Sequence, residues 1–250
     1  MEDKAKMVGE VFSQVASKYD LMNDAMSGGM HRMWKDDFVA MLGPCRGMSI
    51  VDLAGGTGDI SFRMIDALSS QRKIVGSAES AIDTHVTVCD INAEMLQEGR
   101  RRAKNDRPAV VDGISLQWVQ GDAENLPFPD GSVDAVTIAF GLRNVSRTWK
   151  ALSEINRILT KGGRFLCMEF SQVKDPLLRQ AYDAYSFNVI PAMGGFLAGD
   201  PQPYQYLVES IRQFHDQETL ADLMRDAGMK HVTYKNILGG VVAIHSGFRL

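Results

Sequence analysis

The sequence predicts an α/β protein: a doubly wound, mainly parallel sheet closed by an antiparallel hairpin, with the 250 residues in a single domain. Three observations predict it. Short apolar runs that read as buried strands recur at 50–53, 86–90, 115–119, 133–140 and 164–170, with helical segments between them. A glycine-rich turn, Gly55-Gly56-Thr57-Gly58, joins the first of these strands to its helix. The chain then ends on two strand-like runs around Gly239-Gly240, as a hairpin would.

Before the first strand, residues 1–17 place Met7, Val8, Val11, Phe12 and Val15 on one helical face. Ser27-Gly28-Gly29 forms a joint, and His31–Leu42 reads as a helix presenting Trp34, Phe38, Val39 and Leu42. This helical preface, residues 1–47, is either a packing cap or a lid with Tyr19 and His31 facing a reaction space. Ile60, Phe62, Met64, Ile65 and Leu68 can cover one face of the helix after the glycine-rich turn. Residues 69–84 are polar and aperiodic and read as a surface insertion. Ala93–Lys104 is a helix whose Arg100, Arg101, Arg102 and Lys104 form a solvated face. Val133–Phe140 is apolar nearly throughout, as a central parallel strand should be. Trp149–Leu159 reads as a helix, Thr160–Gly163 as a turn, and residues 175–227 as mainly helical. The hairpin strands are His231–Ile237 and Val241–Phe248.

An apolar content of 45% is ample for a core, and a net charge of −4 gives no electrostatic reason to expect a nucleic-acid partner. Cys45, Cys89 and Cys167 are odd in number and far apart, so neither a disulfide framework nor a zinc site is expected. No histidine pair has metal-ligand spacing, and no metal is expected. No apolar run reaches the roughly 18–20 residues that span a bilayer. No signal peptide opens the chain, and a removed targeting segment is compatible with its start.

The chemistry gathers at the strand ends. The glycine-rich turn lacks the lysine of a phosphate-binding loop, and Gly56 and Gly58 have no glycine three residues on, so the dinucleotide fingerprint is also absent. The turn alone is compatible with simple tight packing. Acids change that reading. Asp52 precedes the turn and suits a cationic ligand group. Asp90 ends the second strand, where a carboxylate grips ribose hydroxyls, and Gly121-Asp122-Ala123 follows the third, where an adenine amino group could be read. Three acids at consecutive strand ends without a phosphate cradle fit S-adenosylmethionine better than a dinucleotide. Beyond the fourth strand, Gly141-Leu142-Arg143-Asn144 sets a cation and an amide past the sheet's carboxyl edge.

Longer blocks carry a resemblance. Tyr19-Asp20-Leu21-Met22-Asn23-Asp24-Ala25-Met26-Ser27 with His31 and Trp34 resembles the N-terminal signature of the ubiquinone and menaquinone biosynthesis C-methyltransferases. Asp52–Asp59, Gly121–Glu124, Leu126-Pro127-Phe128, Phe140–Val145, Arg157–Gly163 and Glu169-Phe170-Ser171 are similar to further blocks of that family. The insertion at 69–84 and the ending 243–250 resemble its mitochondrial branch. Thr160-Lys161 departs from the usual Lys-Pro, and Ala139 replaces a serine that contacts the cofactor in many bacterial members.

The resemblance implies a class I methyltransferase fold with a Rossmann-like, seven-stranded sheet. Residues 1–47 would be a lid, 48–170 the cofactor-binding core, and 171–250 the substrate-side helices and hairpin. Gly56, Thr57 and Gly58 would wrap the methionine part of S-adenosylmethionine, Asp90 the ribose, and Asp122 with Ala123 the adenine. The substrate would be a polyprenyl benzoquinol or its naphthoquinol counterpart. Implied partners are other quinone-biosynthesis enzymes and a membrane surface, on the matrix side of the mitochondrial inner membrane, with a homodimer compatible; a scaffold with little turnover is the competing class. Arg143 and Asn144 are the candidates beside the reacting methyl, with Tyr19 and Asp20 completing a polar network. Arg143 either stabilises a phenolate or holds its loop by a salt bridge; as a base it is chemically unsuited. His31 is a base or a packing histidine. Leu177, Leu178, Tyr182, Tyr185, Phe187, Ile190, Met193, Phe196 and Leu197 line a prenyl channel or pack a core.

Overall fold

The computed structural model describes residues 27–75, 83–106, 113–184 and 202–250. Tyr19, Asp20 and the helix expected over 1–17 lie outside them, as do Tyr185, Phe187, Ile190, Met193, Phe196 and Leu197 of the expected channel.

The first described helix, α1 (Met30–Leu42), ends on Gly43 in the left-handed conformation, whose N–H closes on the Val39 carbonyl at 3.1 Å. There follow β1 (Ser49–Leu53), α2 (Asp59–Val75), β2 (Thr84–Asp90), α3 (Ala93–Asp106), β3 (Ile114–Gln120) and β4 (Val133–Ala139). A 3₁₀ turn at Leu142–Asn144 leads to α4 (Thr148–Ile158) and β5 (Leu159–Phe170). The helices α5 (Pro176–Ala184), α6 (Gln202–Gln213) and α7 (Gln217–Asp226) precede β6 (Lys230–Ile237) and β7 (Val242–Phe248).

Among the described residues seven strands form one sheet in the order β3-β2-β1-β4-β5-β7-β6. The first five strands pair in parallel, whereas β7 pairs antiparallel with both β5 and β6. Strand order reverses between β1 and β4, and in open α/β sheets ligands bind in the crevice beyond the carboxyl ends at such a reversal.

Alternation along the strands builds a core on each face. Val51, Leu53, Phe165 and Cys167 join Leu152 and Ile155 of α4 on one side. Ile50, Leu166 and Met168 join Trp34, Phe38 and Leu42 of α1 and Met64 of α2 on the other. Ala151, Leu152, Ile155 and Ile158 follow a helical period and are all buried, which explains why α4 forms there; each large side chain so buried contributes about 1.5–3 kcal/mol.

Two expectations need correction. Residues 69–75 of the expected insertion are instead the end of α2, and its residues 76–82 lie outside the described residues. The Ser69 and Ser70 hydroxyls donate to the carbonyls of Ile65 and Asp66 four residues back, and Gln71 Nε2 donates to the Pro44 carbonyl at 2.6 Å, so this part of α2 satisfies its polar side chains without an apolar period. Thr160–Gly163 is not a separate turn. It lies within β5, where the register with β4 shifts between Val133 and Ala135.

Candidate active site

The loops after β1, β2 and β3 are stitched together by backbone donors. Gly56 N–H donates to Asp90 Oδ2 at 2.8 Å, and Gly121 N–H donates to the Asp90 carbonyl at 3.0 Å. Asp90 Oδ1 accepts from Asn92 N–H at 2.8 Å, while Asn92 Oδ1 accepts from the amides of Glu94 and Met95 and opens α3. Burial holds the Asp90 carboxyl above the usual range, against the backbone donors that favour its ionised form. A carboxylate offers about four lone-pair sites. The amides of Gly56, Asn92 and Ile91 engage three of them, leaving about one for a ribose hydroxyl. Ile91, next in sequence, is 52% exposed and offers an apolar face beside that acid, a position that sequence reasoning did not single out. Asp122 is exposed and its Oδ1 accepts from Glu124 N–H at 2.9 Å, shaping the third loop; Ala123 packs partly into the core.

Asp52 sits deeper than its neighbours. It is 1% exposed, with Oδ2 accepting from the Ser61 hydroxyl at 2.9 Å and Oδ1 from the Thr137 hydroxyl at 3.0 Å. Burial pushes its carboxyl up from the ordinary 3.8 to about 7, against those two hydroxyls. Asp52 therefore ties β1 to α2 and β4, and any influence on a cationic ligand passes through that buried position.

Packing shapes the glycine-rich turn. Gly56, Thr57 and Gly58 are all buried. Gly58 has φ +84°, and a β-carbon there would come 2.7 Å from the Trp118 ring. Gly99, inside α3, faces the same ring, at 2.3 Å from a β-carbon, and the Thr57 carbonyl at 3.0 Å. Trp118 thus wedges between the turn and α3. A lone glycine within an otherwise helical pattern was the signal for this contact.

The helix α1 is pinned at the same place. Lys35 Nζ pairs with Asp59 Oδ2 at 2.7 Å, Arg63 pairs with Asp59 Oδ1 at 3.1 Å, and Arg63 also meets Asp36. Burial raises the Asp59 carboxyl, but Lys35 and Arg63 outweigh it and leave the group below its usual value. His31 is buried at the start of α1, its Nδ1 2.8 Å from the Ser27 hydroxyl.

Across the β1–β4 seam, Arg143 turns inward. Its Nη1 pairs with Glu169 Oε1 at 2.8 Å, with both side chains buried, and also donates to the Phe140 carbonyl. Glu169 in turn accepts from the backbone amides of Arg143 and Phe170. The guanidinium lies 5.6 Å over the Phe170 ring, which packs on Phe140 at 4.9 Å between centroids. Arg143 has the loop-holding salt bridge that sequence reasoning set beside its phenolate role. Asn144 stays half-buried, and its Oδ1 accepts from the Tyr206 hydroxyl of α6 at 3.1 Å. Tyr206 was not foreseen; nothing in the local pattern tells a helix tyrosine that meets a loop 62 residues earlier from one that faces solvent. Of the expected channel, Leu177 and Leu178 are 78% and 41% exposed, and Tyr182 lies under Arg212 at 5.5 Å.

The fold compares with solved methyltransferases at low sequence identity. The methyltransferase in complex with the Haloferax volcanii Trm112 activator superposes with a TM-score of 0.61 at 18% identity, over 95% of this chain and 97% of that one. A SAM-dependent methyltransferase from Thermotoga maritima gives 0.59 at 19% identity, over 96% and 99%. Sequence relatives stand much nearer. The mitochondrial 2-methoxy-6-polyprenyl-1,4-benzoquinol methylase of Oryza sativa is 54% identical over all of this chain and 85% of its own. Those of Arabidopsis thaliana and Bos taurus are 52% and 48% identical, over all of this chain and 87% and 81% of theirs. Residues 1–249 match the ubiE/COQ5 methyltransferase family. With the seven-stranded order, the acid-bearing loops and the Phe140–Asn144 turn in place, this chain belongs to the ubiE/COQ5 methyltransferase family.

Proposed function

We infer that this chain transfers a methyl group from S-adenosylmethionine to a ring carbon of a reduced 2-methoxy-6-polyprenyl-1,4-benzoquinol, in ubiquinone synthesis. The supporting observation is a juxtaposition: the acid-bearing loops and the Leu142–Asn144 turn meet across the β1–β4 seam, where a β-carbon on Gly141 would stand 2.5 Å from the Ala54 β-carbon. One half suits a nucleoside, the other an aromatic oxygen. The residues fit the cofactor. Asp90 has acceptor capacity left for a ribose hydroxyl, Ile91 offers an apolar face for a base, and Asp122 with Ala123 lies on the adjoining loop. Gly56, Thr57 and Gly58 would border the methionine portion.

When bound, S-adenosylmethionine supplies a methyl already activated on a sulfonium, so the protein need not protonate a leaving group. The quinol is the demanding partner. A ring-hydroxyl proton passes to water, electron density moves onto the neighbouring ring carbon, that carbon takes the methyl, and its own hydrogen then leaves as a proton to water as the ring regains aromaticity. Asn144 is the donor to the ring oxygen in this reading. Arg143 and Glu169 form a buried pair of opposite charges that fixes the turn, and Arg143 supports phenolate formation by holding Asn144 in place. Holding both reactants in register supplies several kcal/mol of the barrier reduction, and stabilising the phenolate adds about 10²–10⁴-fold. Tyr19, the helical preface as a lid, and exchange of prenylated substrate with other quinone-biosynthesis enzymes at a membrane surface belong to the same proposal. The exposed Leu177, Leu178 and Leu238 suit a greasy tail at that surface.

The test uses methyl-labelled S-adenosylmethionine and a short-chain 2-methoxy-6-prenyl benzoquinol kept reduced, with mass spectrometry of the product. One labelled methyl on a ring carbon is expected. Transfer to a demethylmenaquinol alone would reassign the substrate, and cofactor binding without transfer to either would favour a scaffold.

A further inference from the structure

We propose that Tyr206 is a positioning residue for methyl transfer: its hydroxyl, donating to Asn144 Oδ1 at 3.1 Å, fixes the Asn144 amide so that Nδ2 is what the turn offers to the substrate's ring oxygen. This rests on the reading of the Leu142–Asn144 turn as the quinol-facing half of the site.

The turn's backbone is already closed, with Asn144 N–H on the Gly141 carbonyl and Val145 N–H on the Leu142 carbonyl, both at 3.1 Å. Leu142 is fully buried and Arg143 is drawn inward to Glu169. Asn144 is therefore the residue of the turn that keeps a half-buried polar side chain. A primary amide has two ends of opposite character, an acceptor oxygen and a donor nitrogen, and half a turn about its last torsion exchanges them. A developing phenolate accepts donors and is repelled by a carbonyl oxygen, so an amide free to turn spends part of its time in an unproductive orientation. A hydroxyl donating to Oδ1 removes that freedom.

Tyr206 suits the task because it remains a phenol. Burial raises its pKa, and the neighbouring Arg143 charge does not offset this, so at neutral pH it donates rather than serving as a base. The helix carrying it is fixed independently, since Val208 and Ile211 of α6 are buried. Tyr206 thus links the 202–213 segment, well separated in sequence from the cofactor loops, to the chemistry at the end of β4. It acts through Asn144 rather than on the reacting atoms.

The experiment compares Tyr206→Phe, Asn144→Ala and the double variant in the full-length chain, with S-adenosylmethionine and the reduced short-chain prenyl methoxybenzoquinol. Tyr206→Phe keeps the ring and removes the hydroxyl. Its kcat should fall about 10–100-fold with the KM for S-adenosylmethionine unchanged, and the acid limb of its kcat–pH profile should move upward because the phenolate forms less readily. A purely structural loss would lower the plateau without moving that limb. The double variant should be no slower than Asn144→Ala, because the hydroxyl has nothing left to orient. Additive losses would overturn the proposal, as would a Tyr206→Phe enzyme with wild-type kcat and pH profile while Asn144→Ala is impaired. Full activity in Asn144→Ala would instead remove the turn from the reaction, and the broader reading of the site would fall with it.

Discussion

Ala54 and Gly141 meet where the two halves of the site join: a β-carbon on Gly141 would stand 2.5 Å from the β-carbon of Ala54. Ala54 directly follows β1 with φ +52°, and Phe140, just before Gly141, directly follows β4 with φ +58°. Left-handed backbone at two non-glycine residues on adjoining strand ends is costly, and such strain concentrates at functional sites. The contact is what allows the glycine-rich turn and the Phe140–Asn144 segment to approach so closely.

A pair of substitutions tests that closeness. Gly141→Ala should destabilise the fold by about 1–3 kcal/mol through overpacking and should weaken cofactor binding as the turn is displaced. Ala54→Gly removes the opposing methyl and relieves a left-handed alanine, so the double variant should recover most of the loss. Denaturant unfolding and titration with S-adenosylmethionine report both effects. A double variant no better than Gly141→Ala alone would show that the two side chains are not what sets the spacing.

Glu169 and Arg143 form a buried pair whose members depend on each other. Glu169→Gln leaves the guanidinium without its counter-charge and should cost about 3–5 kcal/mol, as should Arg143→Met in the other direction. The combined Arg143→Met and Glu169→Gln variant should lose much less stability than the sum, yet methylate poorly because the turn has lost the ion pair that holds it. Equilibrium unfolding of the three variants decides the first point, and turnover decides the second. Wild-type turnover in the folded double variant would take Arg143 out of the mechanism.

The parallel sheet was legible because strands buried on both faces leave near-continuous apolar runs, as in Val133–Phe140. The loops were legible because glycines and acids stand at fixed offsets from those runs. What escaped was decided by contacts distant in sequence. Residues 69–75 lack an apolar period yet end α2, where Gln71 reaches the Pro44 carbonyl. Tyr206 reaches Asn144 only once α6 is laid across the end of β4. Gly99 was not singled out, and its partner Trp118 lies on another element, 19 residues on. For Arg143, sequence set a phenolate role beside a salt bridge holding its loop, and it could not name Glu169, 26 residues on, as the partner of that bridge.

The Trp118 wedge yields its own test. Alanine in place of glycine within a helix is ordinarily worth about 1 kcal/mol of stability. At position 99 the new methyl would lie 2.3 Å from the Trp118 ring and 3.0 Å from the Thr57 carbonyl, so Gly99→Ala should destabilise instead. Affinity for S-adenosylmethionine should drop, and in a Trp118→Ala background, itself destabilised by loss of the ring, Gly99→Ala should no longer cost stability. Calorimetric titration and thermal melting check this. A Gly99→Ala protein that melts higher and binds equally well would refute the wedge.

Asp52 makes stability depend on pH in a direction opposite to that of a salt-bridged carboxylate. The unfolded chain releases this proton near 3.8, whereas the folded protein keeps it to about 7 because burial penalises the charge. Between those values folding takes up a proton, so stability falls as pH rises; the contribution is fully present below the lower value and lost above the upper one. At about 1.4 kcal/mol per pKa unit the loss is on the order of 4 kcal/mol at most. Asp52→Asn cannot ionise and lacks this slope. Its absolute stability is set partly by how well an amide serves Ser61 and Thr137, so the informative quantity is the difference in unfolding free energy between wild type and variant, measured from pH 5 to pH 8. The variant should gain on the wild type from pH 5 up to about 7 and level off above it. A flat difference would mean that Asp52 is already ionised at pH 5, with the Ser61 and Thr137 hydroxyls outweighing burial, and that the carboxylate under the glycine-rich turn carries its charge throughout.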